Sequence, residues 1–227
     1  MATDSVKLLI VRASPYAMRA ILALEAKGVK YELIEENLSA KSQLLLESNP
    51  VYKKIPVLLH GGKAIPESLF IVLYVDEAWP ERAAFFPKDP YARAMTHFWG
   101  DFIDKKIFQL AVSTMKTKKG DPKKEAGVSE LYENFLTLES GFTQLDAKPF
   151  FNGAGIGYAD ICLAPLAAWL RVFVELAGIR VPTAEEAPKL HKFLSAIREH
   201  PATKVAFPDP DELLSYVVLH LKKTMAA

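Results

Sequence analysis

The chain is nearly without cysteine: its 227 residues contain one, Cys162. A single thiol cannot close an internal disulfide, form a two-cysteine redox pair or build a zinc cluster. That excludes a disulfide-stapled secreted scaffold and a two-cysteine thioredoxin. There is also no excess charge of either sign. Lysine and arginine number 28 and aspartate and glutamate 27, a net charge of +1. A dedicated nucleic-acid or anionic-membrane binder needs a basic field that this balance does not supply. Long hydrophobic runs are missing too. The longest uncharged apolar stretch, 161–170, is about half a membrane span, carries Pro165 and reads as a buried helix. The first apolar run, between Lys7 and Arg12, is too short for a signal-peptide core. These absences point to the reducing cytosol as the expected compartment.

Common catalytic constellations are absent as well. There is no HExxH, GxSxG or phosphate-loop motif, and the five histidines (60, 97, 191, 200 and 220) lack ligand spacing, so no metal site is expected. What the chain does have is core material. Half of its residues are hydrophobic and 24% are charged, the mix of an ordinary globular protein.

Pattern divides the chain in two. Residues 8–11 form a short apolar run of strand length, and Ser14-Pro15 then supplies an N-cap followed by proline at the first helical position. Met18, Ile21, Leu22 and Ala26 continue at helical spacing to Gly28. Strands are expected at 31–34, 56–60 and 63–65, the last two joined by Gly61-Gly62 as a hairpin. Helices are expected at 39–46 and 68–78. The order β-α-β-α-β-β-α predicts a small mixed sheet with helices on its faces. Trp79-Pro80 through Pro90 breaks this pattern. Beyond it, 90–117, 123–146, 157–177, 188–199 and 211–223 all read as helix. The expected domains are 1–82 and 91–227, with 83–90 as linker.

Two local motifs read as structural. Gly153-Ala-Gly-Ile-Gly157 fails the dinucleotide pattern and is a loop entering a helix. Lys116, Lys118, Lys119, Lys123 and Lys124 gather around a Gly-Asp-Pro turn without interleaved aromatics, the pattern of a solvated helix–helix connection. The helix starts of the first half carry more chemistry. Ser14 places a hydroxyl at a helix N-terminus, where exposed N–H groups and the dipole favour an anion. Ile55-Pro56 opens a strand where proline has no N–H to give, and Glu67-Ser68 sits at another helix start.

The order and spacing of these features resemble a known family. Ala13-Ser-Pro-Tyr16, Lys41-Ser-Gln-Leu-Leu-Leu-Glu-Ser-Asn-Pro50, Lys53-Lys-Ile-Pro-Val57 and Pro66-Glu-Ser-Leu69 resemble the cytosolic glutathione transferases, and specifically the plant tau class. Phe98-Trp-Gly-Asp-Phe-Ile-Asp-Lys-Lys106 and Gly157-Tyr-Ala-Asp160 extend the resemblance over nearly the whole chain. It implies a thioredoxin-like α/β domain that binds glutathione, followed by an all-α helical domain.

The resemblance also implies roles. Ser14 would donate a hydrogen bond to the glutathione sulfur and favour its thiolate. Lowering a thiol pKa from about 8.5 by about two units needs roughly 2.7 kcal/mol. A hydrogen bond to a charged group supplies about 1.5–3 kcal/mol and a helix N-terminus about 0.3–1 kcal/mol, so no cationic base is required. Glu67 and Ser68 match the pair that holds the γ-glutamyl end. Ile55 would pair its backbone with the cysteinyl unit, and Pro56 matches the family's cis-proline. Lys41 and Lys54 match the lysines reaching the glycyl carboxylate. The electrophile site, expected in the cleft between domains, maps to Tyr16, Phe108, Val112, Met115, Trp169, Tyr216 and His220, an apolar and aromatic lining. Departures from the class pattern concentrate here: Ile10-Val-Arg-Ala13 replaces an aromatic-rich lead-in, and Val112 and Met115 are leaner than usual.

The implied activity is conjugation of glutathione to electrophilic apolar compounds in detoxification and stress response, with reduction of organic hydroperoxides alongside. Glutathione is the co-substrate, and a homodimer is implied. Two alternatives compete: a non-catalytic carrier of apolar ligands with Ser14 idle, and a thiol-disulfide enzyme, which would need cysteine at position 14. Asp160 reads as a folding residue, N3 of a helix capped at Gly157, with Ile156 and Ile161 as a hydrophobic staple. Cys162 reads as a buried structural thiol.

Overall fold

A computed structural model describes residues 5–153 and 155–226, with side chains through 220. Ala154, within the glycine motif, lies outside the described residues. The chain forms two units, residues 1–84 with 201–207, and residues 85–200 with 208–227.

The first unit is built on four strands: β1 (Val6–Ile10), β2 (Glu32–Glu35), β3 (Val57–His60) and β4 (Lys63–Pro66), in the order β2-β1-β3-β4. β1 runs parallel to β2 and antiparallel to β3, and β3 is antiparallel to β4. Central strand β1 is buried on both faces, which is why its sequence is a continuous apolar run rather than an alternation. Leu8, Leu9 and Ile10 are fully buried, each contributing about 1.5–3 kcal/mol by leaving water. One face packs Leu9 and Val57 against Leu45 of α2 (Gln43–Ser48). On the other side α1 (Pro15–Ala26) and α3 (Ser68–Ala78) pack together, and α3 also lies against β3 and β4. The C-terminal ends of α1 and α3 are tied by a buried ion pair. Lys27 Nζ reaches Asp76 Oδ1 at 2.7 Å and also donates to the carbonyls of Asp76 and Trp79.

The register fixes which segments share an end of the sheet. Leu9 is opposite Val57, Val57 is opposite Pro66, and Ile10 is opposite Glu35. The chain leaving β1 toward Ser14, the chain entering β3 through Ile55-Pro56, and the chain leaving β4 toward Glu67 therefore meet at one edge.

The second unit is helical: α4 (Pro90–Phe102), α5 (Leu110–Lys116), α6 (Pro122–Gln144), α7 (Tyr158–Leu163), α8 (Pro165–Val172), α9 (Pro188–Glu199) and α11 (Pro210–Ala226). The short α10 (Thr203–Ala206) belongs to the first unit, where it packs on α1. The expected continuous helices at 90–117 and 157–177 are interrupted by π-helical segments, Ile103–Gln109 and Phe173–Ala177. Small residues let these helices approach closely. A Cβ on Gly141 would come within 2.5 Å of the Trp99 ring, and one on Gly100 would strike the ring of Tyr158.

Candidate active site

The β1–α1 turn presents Ser14 as sequence predicts. Ser14 is the N-cap of α1, extended at φ −73° and ψ 122°, with Pro15 as the first helical residue. Its Oγ accepts the Ala17 N–H at 3.3 Å. A hydroxyl has one donor and two acceptor positions, so this cap uses only an acceptor and leaves the O–H to donate elsewhere. Ser14 is half-buried, which keeps that donor within reach of a ligand. Tyr16 is half-buried, and the guanidinium of fully buried Arg19 lies 5.3 Å from its ring centroid. Exposed Arg12 pairs with Glu35 of β2, its Nε 3.7 Å from Glu35 Oε2.

The other two arms of the same sheet end are also organised. The Ile55–Pro56 bond is cis. Pro56 is buried and Ile55 half-buried. Glu67 precedes α3 with φ +70°, a region costly for a residue with a Cβ, and makes no side-chain cap. The first N–H groups of α3 therefore have no side-chain acceptor from Glu67, which leaves them as donors suited to an anion. Ser68, the first helical residue, is buried.

Lys41 and Lys54 are exposed and brought into one neighbourhood. Lys41 Nζ donates to the Lys53 carbonyl at 2.9 Å, and Lys53 itself has φ +53°. Two residues that the sequence reading missed hold this segment. Buried Asn49 accepts the Tyr52 N–H through Oδ1 at 3.1 Å and donates from Nδ2 to the Lys54 carbonyl at 3.0 Å. Buried Glu36 accepts the Ser42 hydroxyl at 2.6 Å and the Ser42 N–H at 3.2 Å, while Ser42 Oγ caps α2 at Leu45. The only sequence signal for Asn49 is Asn-Pro after a helix, which reads as a stop.

The expected acceptor residues of the second unit fall into two environments. Phe108 is fully buried, Met115 and Trp169 nearly so, and Val112 is half-buried. Phe173, not anticipated, joins two of them: its ring centroid is 6.5 Å from Phe108 and 5.3 Å from Trp169. Tyr216 and His220 are exposed on α11, with stacked rings 6.2 Å apart. Among the described residues no helix is long and apolar enough to cross a membrane, and no group of three His, Cys, Asp or Glu side chains is placed to hold a metal ion.

Asp160 is built differently. Fully buried, it accepts the Gly157 N–H at 2.8 Å, as capping requires, and also the N–H groups of Phe151 at 2.7 Å and Asn152 at 3.2 Å. Burial pushes its carboxyl up to about 7, against the pull of these donors, which favour the charged form. Glycine at 157 has a steric cause. A Cβ there would lie 2.6 Å from Asn152 Cβ and 2.8 Å from the Phe85 carbonyl oxygen.

Residues 4–77 match the glutathione S-transferase N-terminal domain and residues 102–201 the glutathione S-transferase C-terminal domain. Glutathione S-transferase U17 of Arabidopsis thaliana is 41% identical over 95% of this chain and 96% of the relative. The chain belongs to the glutathione S-transferase family. Its class is tau. A tau class glutathione S-transferase from mango superposes with a TM-score of 0.88 at 40% identity, over 95% of this chain and 98% of that one. Glutathione S-transferase 3 of Glycine max is 40% identical over 98% of both chains. A rice transferase solved in complex with glutathione is 33% identical, with a TM-score of 0.85, over 96% of this chain and 97% of that one. The fold is thus the thioredoxin-like α/β unit and helical domain of a glutathione transferase, and the protein is a transferase enzyme.

Proposed function

We propose that Ser14 is the residue of this transferase that stabilises the glutathione thiolate for attack on electrophilic apolar substrates. The observation that carries the reading is the Ser14 hydroxyl at the start of α1, its oxygen accepting the Ala17 N–H while the O–H is left to donate. Accepting that N–H polarises the hydroxyl and fixes its oxygen. The O–H then donates to the sulfur more strongly when the sulfur is charged, and the α1 dipole adds to the same preference. Neutral thiol and thiolate are thereby distinguished, which is what lowers the thiol pKa. The thiolate forms its new bond to carbon of the electrophile; in substitution reactions the leaving group departs with the pair of the bond that breaks, and in addition reactions the acceptor's π pair shifts onto its electron-withdrawing group and takes up a proton from solvent.

The remaining arms orient the tripeptide. The α3 N-terminus with Ser68 receives the γ-glutamyl carboxylate, and Glu67 receives the ammonium group. The backbone of Ile55, turned by the cis bond to Pro56, pairs with the cysteinyl unit. Lys41 and Lys54 meet the glycyl carboxylate. The acceptor side is assigned to Tyr16, Phe108, Val112, Met115, Trp169, Tyr216 and His220. Detoxification in the cytoplasm as a homodimer, without a metal, completes the reading. The decisive experiment is chloro-dinitrobenzene conjugation by wild type and Ser14→Ala, with binding of an apolar dye measured in parallel. Loss of turnover with glutathione still bound supports the assignment. Unchanged turnover in Ser14→Ala overturns it, and dye binding without wild-type turnover returns the carrier alternative.

A further inference from the structure

The lysine cluster of the α5–α6 turn is not absorbed by the transferase chemistry, and the fold adds to it. The turn borders a concave site of about 370 Å³ in the helical unit, within the range of small-ligand pockets. Lys119 and Lys124 of the turn line it. Arg180, far away in sequence, joins the lining just beyond Gly178, and Ser129 and Glu125 complete its polar part. Lys116, Lys118 and Lys123 belong to the same turn, and among the described residues none of Lys116, Lys118, Lys119, Lys123, Lys124 and Arg180 comes within 4.0 Å of a carboxylate as an ion pair. Elsewhere lysines and arginines do so repeatedly, as at Lys105–Asp101 and Arg171–Asp211.

Two of the lining cations are held in place. Lys124 Nζ donates to the carbonyls of Thr114 at 3.2 Å and Thr117 at 3.3 Å, which leaves a third donor. The Arg180 guanidinium lies 4.8 Å from the Tyr132 ring centroid. The nearby Glu186 carboxylate, held by the Tyr132 hydroxyl at 2.6 Å and the Thr183 N–H at 2.8 Å, stays charged and attracts Arg180 from outside the lining. Pre-positioned cations lose less entropy on meeting an anion than floppy ones do. Glu125 is the one acid in the lining, and Lys116, Lys118, Lys119, Lys123, Lys124 and Arg180 against Asp121, Glu125 and Glu186 leave the turn and its surroundings at +3. Such a charge in a site too small for a macromolecule matches a compact multivalent anion.

We propose that the pocket bounded by Lys119, Lys124 and Arg180 binds a small phosphorylated or sulfated anion, at a site distinct from the glutathione groove. Pyrophosphate is the probe. In titration calorimetry of the full chain, with glutathione present at saturation to occupy Lys41 and Lys54, it binds saturably at one site per chain. Its affinity falls with added salt. Lys119→Gln/Arg180→Gln weakens this binding about tenfold or more and leaves glutathione conjugation at the wild-type rate. Lys88→Gln, an exposed lysine outside the pocket, changes neither. Reagent labelling of wild-type lysines keeps the test open should the double variant misfold: pyrophosphate protects Lys119 and Lys124 but not Lys88. Non-saturating binding, loss of all binding when glutathione is added, equal affinity in the folded double variant, or equal protection of Lys88 would each overturn the proposal. Tight binding of RNA with no response to pyrophosphate would overturn it too.

Discussion

The starts of α1 and α7 are both capped by short-range hydrogen bonds, yet they are built for opposite ends. At α1 the Ser14 hydroxyl is half-buried and spends one acceptor position on Ala17. At α7 the Asp160 carboxylate is fully buried and takes three backbone N–H groups, from Gly157, Phe151 and Asn152. A cap with capacity left over can act on a ligand. A cap sealed from solvent and ringed by backbone N–H groups can only hold chain to chain. Burial and partner count, not residue chemistry, separate the two: a carboxylate is the stronger acid–base group, and it is the one without access.

Mutations can break this comparison in order of expected size. Asp160→Ala strands three N–H groups around an emptied site, and we expect a loss of about 3–5 kcal/mol in stability. In a chain of this size that lowers Tm by roughly 10 °C, while the KM for glutathione stays within about twofold. Thermal melts and a glutathione titration check this, and a selective loss of glutathione affinity contradicts the structural assignment. Ser14→Ala should do the reverse. One preorganised donor lost costs about 10²–10³-fold in kcat/KM, with a normal melting curve, and moves the pH–rate profile upward by about two units.

Gly157→Ser sharpens the contrast from the other side. Serine is the better N-cap by chemistry, worth roughly a few tenths of a kcal/mol over glycine, but its Cβ collides with Asn152 and the Phe85 carbonyl, costing about 1–3 kcal/mol. Denaturant unfolding should show net destabilisation, and a more stable variant would refute the steric account. Lys54→Ala should raise the KM for glutathione about threefold to tenfold with little change in kcat.

The smallest effect concerns His97, whose ring stacks on Phe86. Burial, with Arg93 assisting, holds its pKa below the usual histidine value. The unfolded chain then binds the proton more readily, so this group's contribution is present above the ordinary histidine pKa of about 6.5 and is lost as pH falls. Melts of His97→Phe between pH 5 and 7 should show a shallower acid-side decline than wild type.

Local chemistry was legible wherever cause and effect are near in sequence. Ser14-Pro15 marks the α1 start, Gly157 and Asp160 mark the α7 start, and Gly61-Gly62 marks the β3–β4 hairpin, because each depends on residues at most four apart. The Leu8–Ile10 run announced a strand buried on both faces. Asn49 and Glu36 were missed because their bonds to Tyr52, Lys54 and Ser42 need a loop to fold back, and polar residues in a turn carry no mark of burial. The π-helical segments escaped for a similar reason. One extra residue in a turn changes the helical register without changing the apolar pattern that reveals a helix.

Composition and pattern by themselves determined that the chain holds one buried thiol, an α/β half and a helical half, and helix starts suited to an anion. Cys162 is buried, as its apolar helix suggested. Tertiary structure decided which of those helix starts keeps access to a ligand. Strand register gathers Ser14, Pro56 and Glu67 at one sheet edge, while packing of residues 150–152 over α7 uses up Asp160. It also carried Arg180 to the lysine turn, changing a solvated loop into a concave cationic site. The physical reason is the same in each case. Propensity and capping act over a few residues, whereas burial and charge density depend on which distant segments come to rest beside them.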